Sequence, residues 1–329
     1  MSGPAFRYAR AGGLDDAVAQ GSQPGAAFLA GGTDLLQLWK SGATAPQHVV
    51  DISRLPLNGI KFADNCLTMG ALARLSDVAS HSEVAQHHPL IAKAILASAS
   101  GQVRNMATLG GNLLQRTRCP YFRGRQFDCN KRAPGSGCGA RSGENRQAAL
   151  FGTSAACVAT HASDLAVALA ALDAEVDILG PAGIRRVALT DLYCLPDDTP
   201  ARETKLDPGE LITSVSVRDA FRFAGRSKYL KVRDRASFEF AVVSVAAALR
   251  IENGVVAEAR LAAGGVAPLP WRLARSEVAL VGRRPSKEAF AAAGDLAIEG
   301  AQPLANNGFK IELLRNAIIR ALQTVGGQT

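Results

Sequence analysis

Residues 115–150 carry no hydrophobic period: QRTRCPYFRGRQFDCNKRAPGSGCGARSGENRQAAL. A loop of that length inside a compact domain is uncommon unless something staples it. Cysteines are the evident staple. Cys119, Cys129, Cys138 and Cys157 follow the spacing C-x9-C-x8-C-x18-C. The absence of a CxxC pair counts against most structural zinc sites. Irregular spacing suits four thiolates wrapped around an iron–sulfur cluster, and Gly135, Gly137, Gly139, Pro120 and Pro134 suit the wrapping. Zinc, disulfides in an exported protein and four unrelated thiols are the other readings. Cys66 and Cys194 stand apart and read as small apolar residues.

The same stretch holds most of the charge. Between Gln115 and Gln147 lie Arg116, Arg118, Arg123, Arg125, Lys131, Arg132, Arg141 and Arg146, against Asp128 and Glu144, a net +6 of the chain's +8. Such a patch faces nucleic acid, an acidic partner or an internal anion, or is a solvated loop. A thiolate-bound cluster is such an anion. Tyr121, Phe122 and Phe127 interleave with the arginines as in single-strand readers, a reading set below the others; no nucleic-acid partner is expected.

Elsewhere the chain reads as α+β. Strands are expected at 5–9, 26–30, 49–52 and 66–72. Helices are expected at 14–19, 34–40 with Thr33 as N-cap, 75–84 and 89–99. After Cys157 come an apolar helix at 164–172 and a hairpin from 175–179 and 184–189. Composition shifts near Asp219. Three long antiparallel strands are then expected at 228–233, 238–251 and 255–263, the last two joined by Glu252-Asn253-Gly254, with helices at 286–297 and 309–325. The division expected is 1–219, containing the insert at 115–160, and 220–329. No apolar run reaches membrane-spanning length. The opening MSGPAFRYARAGG has no apolar core, so no signal peptide of its own is expected.

Two double-glycine corners carry the binding chemistry. Phe28-Leu29-Ala30-Gly31-Gly32-Thr33-Asp34-Leu35 runs from a strand through two glycines into a helix start. Thr108-Leu109-Gly110-Gly111-Asn112 repeats the glycine pair between hydroxyl and amide side chains. Glycines let a phosphate approach the backbone. Either corner alone is also an ordinary strand–turn–helix connection, and the spacing is not GxGxxG. Together they suit a dinucleotide whose diphosphate sits between two loops. Ser163-Asp164 precedes a helix, where an N-cap is the plain reading and a carboxylate accepting from ribose or ribityl hydroxyls is compatible with it. Lys231 lies in an alternating strand, where lysine is usually exposed; a cation there could also face the polar edge of a reduced, anionic ring. No Ser-His-Asp or paired-carboxylate arrangement emerges, and His161 reads as structural.

LAGGTDLL at 29–36, ATLGGN at 107–112, SDLA at 163–166, PGELI at 208–212 and KVRDRASFEFA at 231–241 resemble the FAD-binding subunit of the molybdenum hydroxylases, the family of xanthine and carbon monoxide dehydrogenases. The likeness covers nearly the whole chain. The cysteine insert resembles that of the FAD subunits of periplasmic aromatic aldehyde oxidoreductases. The resemblance implies a two-part FAD domain of the vanillyl-alcohol-oxidase (PCMH) type with a [4Fe–4S] insert, then a domain of three-stranded antiparallel sheet plus helices. By position, Ala27, Phe28, Leu29, Ala30, Gly31, Gly32, Thr33, Asp34 and Leu35 would wrap the diphosphate. Thr108, Gly111 and Asn112 would contact FAD from the second loop, and Asp164 its ribityl or ribose part. Leu211 and Ile212 would pack near the isoalloxazine, with Lys231 at its polar edge. Cys119, Cys129, Cys138 and Cys157 would ligate the cluster. Ser98 stands where many relatives carry an aromatic residue.

The implied activity is electron transfer within a heterotrimer. A large subunit would hold the molybdenum cofactor and oxidise an aldehyde to an acid, and a small one would carry two [2Fe–2S] clusters. Electrons would reach FAD here and leave to an external acceptor: oxygen, a quinone or a carrier protein. The basic insert would also offer an interface to an acidic surface. The compartment implied is the periplasm, reached by co-export with a partner bearing a twin-arginine signal, with the cytoplasm as the other option. A stand-alone flavin oxidase is the competing reading.

Overall fold

The computed structural model describes residues 5–327; the first four residues of the stretch read for a leader lie outside them. Three sheets follow. The first is parallel, in the order β1-β3-β2, from β1 (Arg7–Arg10), β2 (Ala26–Leu29) and β3 (His48–Asp51), with helices α1 (Leu14–Gly21) and α2 (Leu35–Ser41) as its crossovers. The second is antiparallel, in the order β4-β5-β8-β6-β7, from β4 (Ile60–Ala63), β5 (Cys66–Gly70), β6 (Glu175–Gly180), β7 (Gly183–Ala188) and β8 (Leu211–Arg218). The insert lies in sequence between β5 and β6, so it leaves and returns to one layer.

The helix expected at 75–84 is divided, and the one expected at 89–99 is present. α3 (Leu75–Ser80) and α4 (Ser82–His87) break at His81, which is extended. α5 (Pro89–Ala97) then restarts with proline in its first turn. Two short helices, α6 (Gly101–Arg104) and α7 (Leu109–Leu113), lead to the insert, whose regular structure is one turn, α8 (Pro120–Arg123). α9 (Asp164–Ala171) has every residue buried. A helix apolar all round belongs inside a molecule, and this one packs on α5 and on the third sheet.

That third sheet comprises β9 (Ser227–Val232), β10 (Val243–Glu252), β11 (Val255–Gly264) and a two-residue strand, β12 (Trp271–Arg272), in the order β12-β11-β10-β9. The three expected strands are present with a short fourth. β10 begins later than expected, because residues 233–242 are irregular and Phe238 has φ +51°. The β10–β11 turn has positive φ at both Asn253 (50°) and Gly254 (77°), the backbone that Asn-Gly favours in a two-residue hairpin. Alternate residues of β10 serve different cores. Ala246 and Ala248 pack in the core around α9, whereas Val245, Ala247 and Leu249 pack under the C-terminal helices. Those are α11 (Ala274–Leu280), α12 (Lys287–Ile298) with Ser286 as its cap, and α13 (Phe309–Gly326); α10 (Leu189–Leu192) follows β7. The parts before and after Asp219 therefore share a core. Lys310, fully buried on α13, donates to the carbonyls of Ala148 (2.9 Å) and Gly265, fastening the later part of the insert to the residue that follows β11.

His88 precedes α5 and is 1% exposed, with its ring edge on Phe62 at 5.5 Å. Neither ring nitrogen is hydrogen-bonded among the described residues. Burial lowers its pKa to about 4, so the neutral ring is the folded form. As pH falls below about 6.5, the unfolded chain takes up the proton first. Stability is lost from there to about pH 4, and above pH 6.5 this group adds no pH dependence. His88→Leu is expected to lose less Tm than the parent between pH 7 and 4.5 in thermal melts at fixed ionic strength. Equal losses would show that the ring is protonated without penalty.

Candidate functional site

The two glycine corners lie against each other. A Cβ on Gly31 would stand 2.0 Å from the Met106 carbonyl oxygen, so a side chain there would force the loops apart. Gly32 has φ +71°, the left-handed region open to glycine. Thr108 caps α7 by accepting from the Gly111 amide at 3.3 Å. Thr33 does not cap α2. Asp34 holds that position, and its carboxylate turns elsewhere.

Phe28, Ala30, Gly31, Gly32, Thr33, Asp34, Leu35, Thr108, Gly111, Leu211 and Ile212 line one cavity of about 210 Å³. Thr33, Asp34 and Gly111 continue into a second of about 330 Å³, where Asn112, Asp164 and Lys231 join them. Ala27 and Leu29 line neither. The expected binding residues thus gather, with those two exceptions, along one continuous pair of cavities. Ser98 also lines the second.

The far end of that second cavity is built on a buried ion pair. Lys231 Nζ lies 2.7 Å from Asp164 Oδ2, with side chains 4% and 5% exposed. Of the two readings of Lys231, the exposed one fails: the Ala97 carbonyl (3.1 Å) and Asp164 hold it inward. Tyr229 donates to Asp164 Oδ1 at 2.7 Å. Burial pushes the Asp164 carboxyl above the usual range, while the Lys231 ammonium and the Tyr229 hydroxyl pull it back. Ser163, not Asp164, caps α9, accepting from the Ala166 amide at 3.0 Å and donating to Asn112 Oδ1 at 2.6 Å. The start of α9 is thereby tied to the second glycine corner.

The insert is ordered by its polar side chains. Asn130 accepts from the amides of Gly135 (3.1 Å) and Gly137 (2.8 Å), and Arg132 donates to the carbonyls of Tyr121 and Phe122, both at 2.7 Å. Much of its positive charge is met by carboxylates of the same chain. Arg118 and Arg123 meet Asp34 at 2.5 and 2.7 Å, Lys131 meets Glu203 at 2.9 Å, and Arg116 pairs with Glu203 as well. Arg146 meets Asp234 at 2.8 Å. Glu203, Tyr229 and the Arg–Asp34 set carried no local sequence signal, because each contact spans 65 or more positions.

Cys119, Cys129, Cys138 and Cys157 all line one small cavity inside the insert, and Cys129 faces Cys138 across an antiparallel bridge. None is in a disulfide. Burial pushes the Cys119 thiol up to about 11 and raises Cys157. Such thiols stay protonated until a metal takes the thiolate. Among the described residues no three His, Cys, Asp or Glu side chains converge as on a single ion.

Paired glycine corners opening on adjoining cavities, backed by an antiparallel sheet and helices, define a dinucleotide-binding protein. Residues 4–217 match the FAD binding domain in molybdopterin dehydrogenase, and residues 228–325 the CO dehydrogenase flavoprotein C-terminal domain. The chain belongs to the FAD-binding subunits of the molybdenum hydroxylase family and is an oxidoreductase subunit. It is 43% identical over 327 residues to the aldehyde oxidoreductase FAD-binding subunit PaoB of Escherichia coli K12, covering 98% of this chain and 99% of that one. The glyceraldehyde dehydrogenase medium chain of Sulfolobus acidocaldarius is 29% identical, covering 86% and 84%. The solved carbon monoxide dehydrogenase of Hydrogenophaga pseudoflava superposes with a TM-score of 0.77 at 26% identity, covering 100% and 99%.

Removing one member of a buried pair leaves the other charge unmet, at a cost of about 3–5 kcal/mol. Asp164→Asn and Lys231→Met are each expected to lose stability on that order in urea denaturation. The double replacement is expected to lose clearly less than the sum. Additive losses would mean that the two side chains do not depend on each other.

Proposed function

We propose that this chain is the FAD-binding electron-transfer subunit of a molybdenum-dependent aldehyde oxidoreductase, and that its insert holds a [4Fe–4S] cluster. The observation that carries the reading is the end-to-end 43% identity to a protein named as the FAD-binding subunit of an aldehyde oxidoreductase, in a chain whose four insert cysteines share one cavity. Bound FAD would supply two-electron chemistry, taking electrons from a small [2Fe–2S] subunit and releasing them to an external acceptor.

The chain's own part is to hold and orient. Backbone amides at Gly31–Thr33 would face the diphosphate, while the Gly110 and Gly111 amides, held by the Ala71 carbonyl and by Thr108, fix the second corner so that its glycines let the cofactor approach closely. Asn112, anchored by Ser163, and Asp164, through its remaining lone pairs, would meet hydroxyls of the ribityl chain. Leu211 and Ile212 would pack against the cofactor. Lys231, held by Asp164, would keep a positive charge at the ring's polar edge. Cys119, Cys129, Cys138 and Cys157 would bind the cluster. Each thiolate of a cubane takes a different iron, so the four need not converge as ligands of one ion do.

The molybdenum cofactor would lie in a large partner subunit, completing a heterotrimer, with the periplasm proposed as its compartment through co-export. A stand-alone oxidase is not favoured, because the full-length relatives are named as subunits or medium chains.

The test is co-expression with the partner chains followed by iron and flavin analysis. Cys129→Ser is expected to lower iron per FAD by about half in the complex, with flavin content falling far less. An unchanged iron-to-flavin ratio would remove the cysteine from the ligand set.

A further inference from the structure

The cavity between the glycine corners poses a charge problem. Its walls include two carboxylates, Asp34 and Glu210, and no lysine or arginine. Glu210 is met from outside the walls by Arg185 at 2.6 Å. The helices that start at the corners are seven and five residues long, too short to build much of a dipole. An FAD diphosphate placed there brings further negative charge. The insert brings two cations to the junction of the cavities. Arg118 and Arg123 reach out of it and line the adjoining cavity beside Thr33, Asp34, Gly111 and Asn112. Among the described residues the other cations lining that cavity are Arg235 and Lys231, the latter already paired with Asp164.

Asp34 aims them. Its Oδ1 accepts from Arg118 Nη1 at 2.5 Å and Arg123 Nη2 at 2.7 Å, and its Oδ2 accepts from the Arg116 amide at 2.8 Å. One carboxylate between two guanidinium groups leaves a net positive charge at the junction of the two cavities. Each arginine keeps unused donors: among the described residues no hydrogen bond engages Nε of Arg118 or Nη1 of Arg123.

We propose that Arg118 and Arg123 are FAD-binding residues supplied by the insert, positioned by Asp34 so that their free N–H donors meet the diphosphate. The insert is then part of the flavin site as well as the seat of its own thiols. The proposal rests on FAD binding by this chain and not on the cluster.

The test separates phosphate recognition from general loss of structure. The full chain, freed of flavin, is titrated with FAD and with riboflavin, which has the ring and ribityl chain but no phosphate. Flavin fluorescence quenching reads both. Arg118→Gln and Arg123→Gln are each expected to raise the Kd for FAD roughly tenfold or more, while the Kd for riboflavin moves less than about twofold. Arg123→Lys, which keeps the charge, is expected to recover part of the FAD affinity. In the parent chain, FAD affinity should fall as salt rises and riboflavin affinity should not; this arm stands even if a variant fails to fold. Equal weakening toward both ligands would make the arginines structural. Unchanged FAD affinity, or a salt-independent parent, would overturn the proposal outright.

Discussion

A charge taken out of water needs an opposite charge within reach, and two carboxylates of this chain impose that need on everything around them. Asp164 stands at the start of the one helix whose every residue is buried, α9. Its partners, Tyr229 and Lys231, come from β9 of the third sheet. The pair therefore fixes how the part before Asp219 meets the part after it, and it builds the wall of the larger cavity. Asp34 stands at the first glycine corner, and its partners come from the insert. That contact fixes how an otherwise irregular excursion meets the cofactor cleft.

The layers between these joints explain why the halves do not part. β10 sends alternate side chains into two cores, one around α9 and one beneath α12 and α13. Within the insert, Lys310 and Asn307 hold the carbonyls of residues 148 and 149. A loop stapled only by its cysteines would be free at both ends. Here its beginning is held by Asp34 and its later part by Asn307 and Lys310, and its four thiols, Cys157 beyond that second anchor included, are brought to one cavity.

The parts legible in the sequence were those with local rules. Gly31-Gly32 and Gly110-Gly111 reported their corners because close approach and positive φ demand glycine. Asn253-Gly254 reported its hairpin, and the apolar run after Ser163 reported a buried helix. What stayed hidden was decided by partners far along the chain. The strand pattern alone left Lys231 open between exposure and the site, because Asp164, which holds it inside, lies 67 positions away. The pairing of five of the eight insert cations was hidden because their counter-ions, Asp34, Glu203 and Asp234, lie outside it. Thr33 read as a cap by residue type, whereas the chain turns one residue later. The short strands β4 and β12 left no period long enough to detect.

The central claim is that a diphosphate lies between the two glycine corners while iron fills the cavity of the four cysteines. Diffraction from the purified complex, collected across the iron absorption edge, tests both at once. The account predicts an anomalous peak among Cys119, Cys129, Cys138 and Cys157, and FAD density running from the first corner past Asn112 toward Lys231. A cavity without iron in a fully flavinylated crystal, or flavin density that avoids the corners, would contradict it.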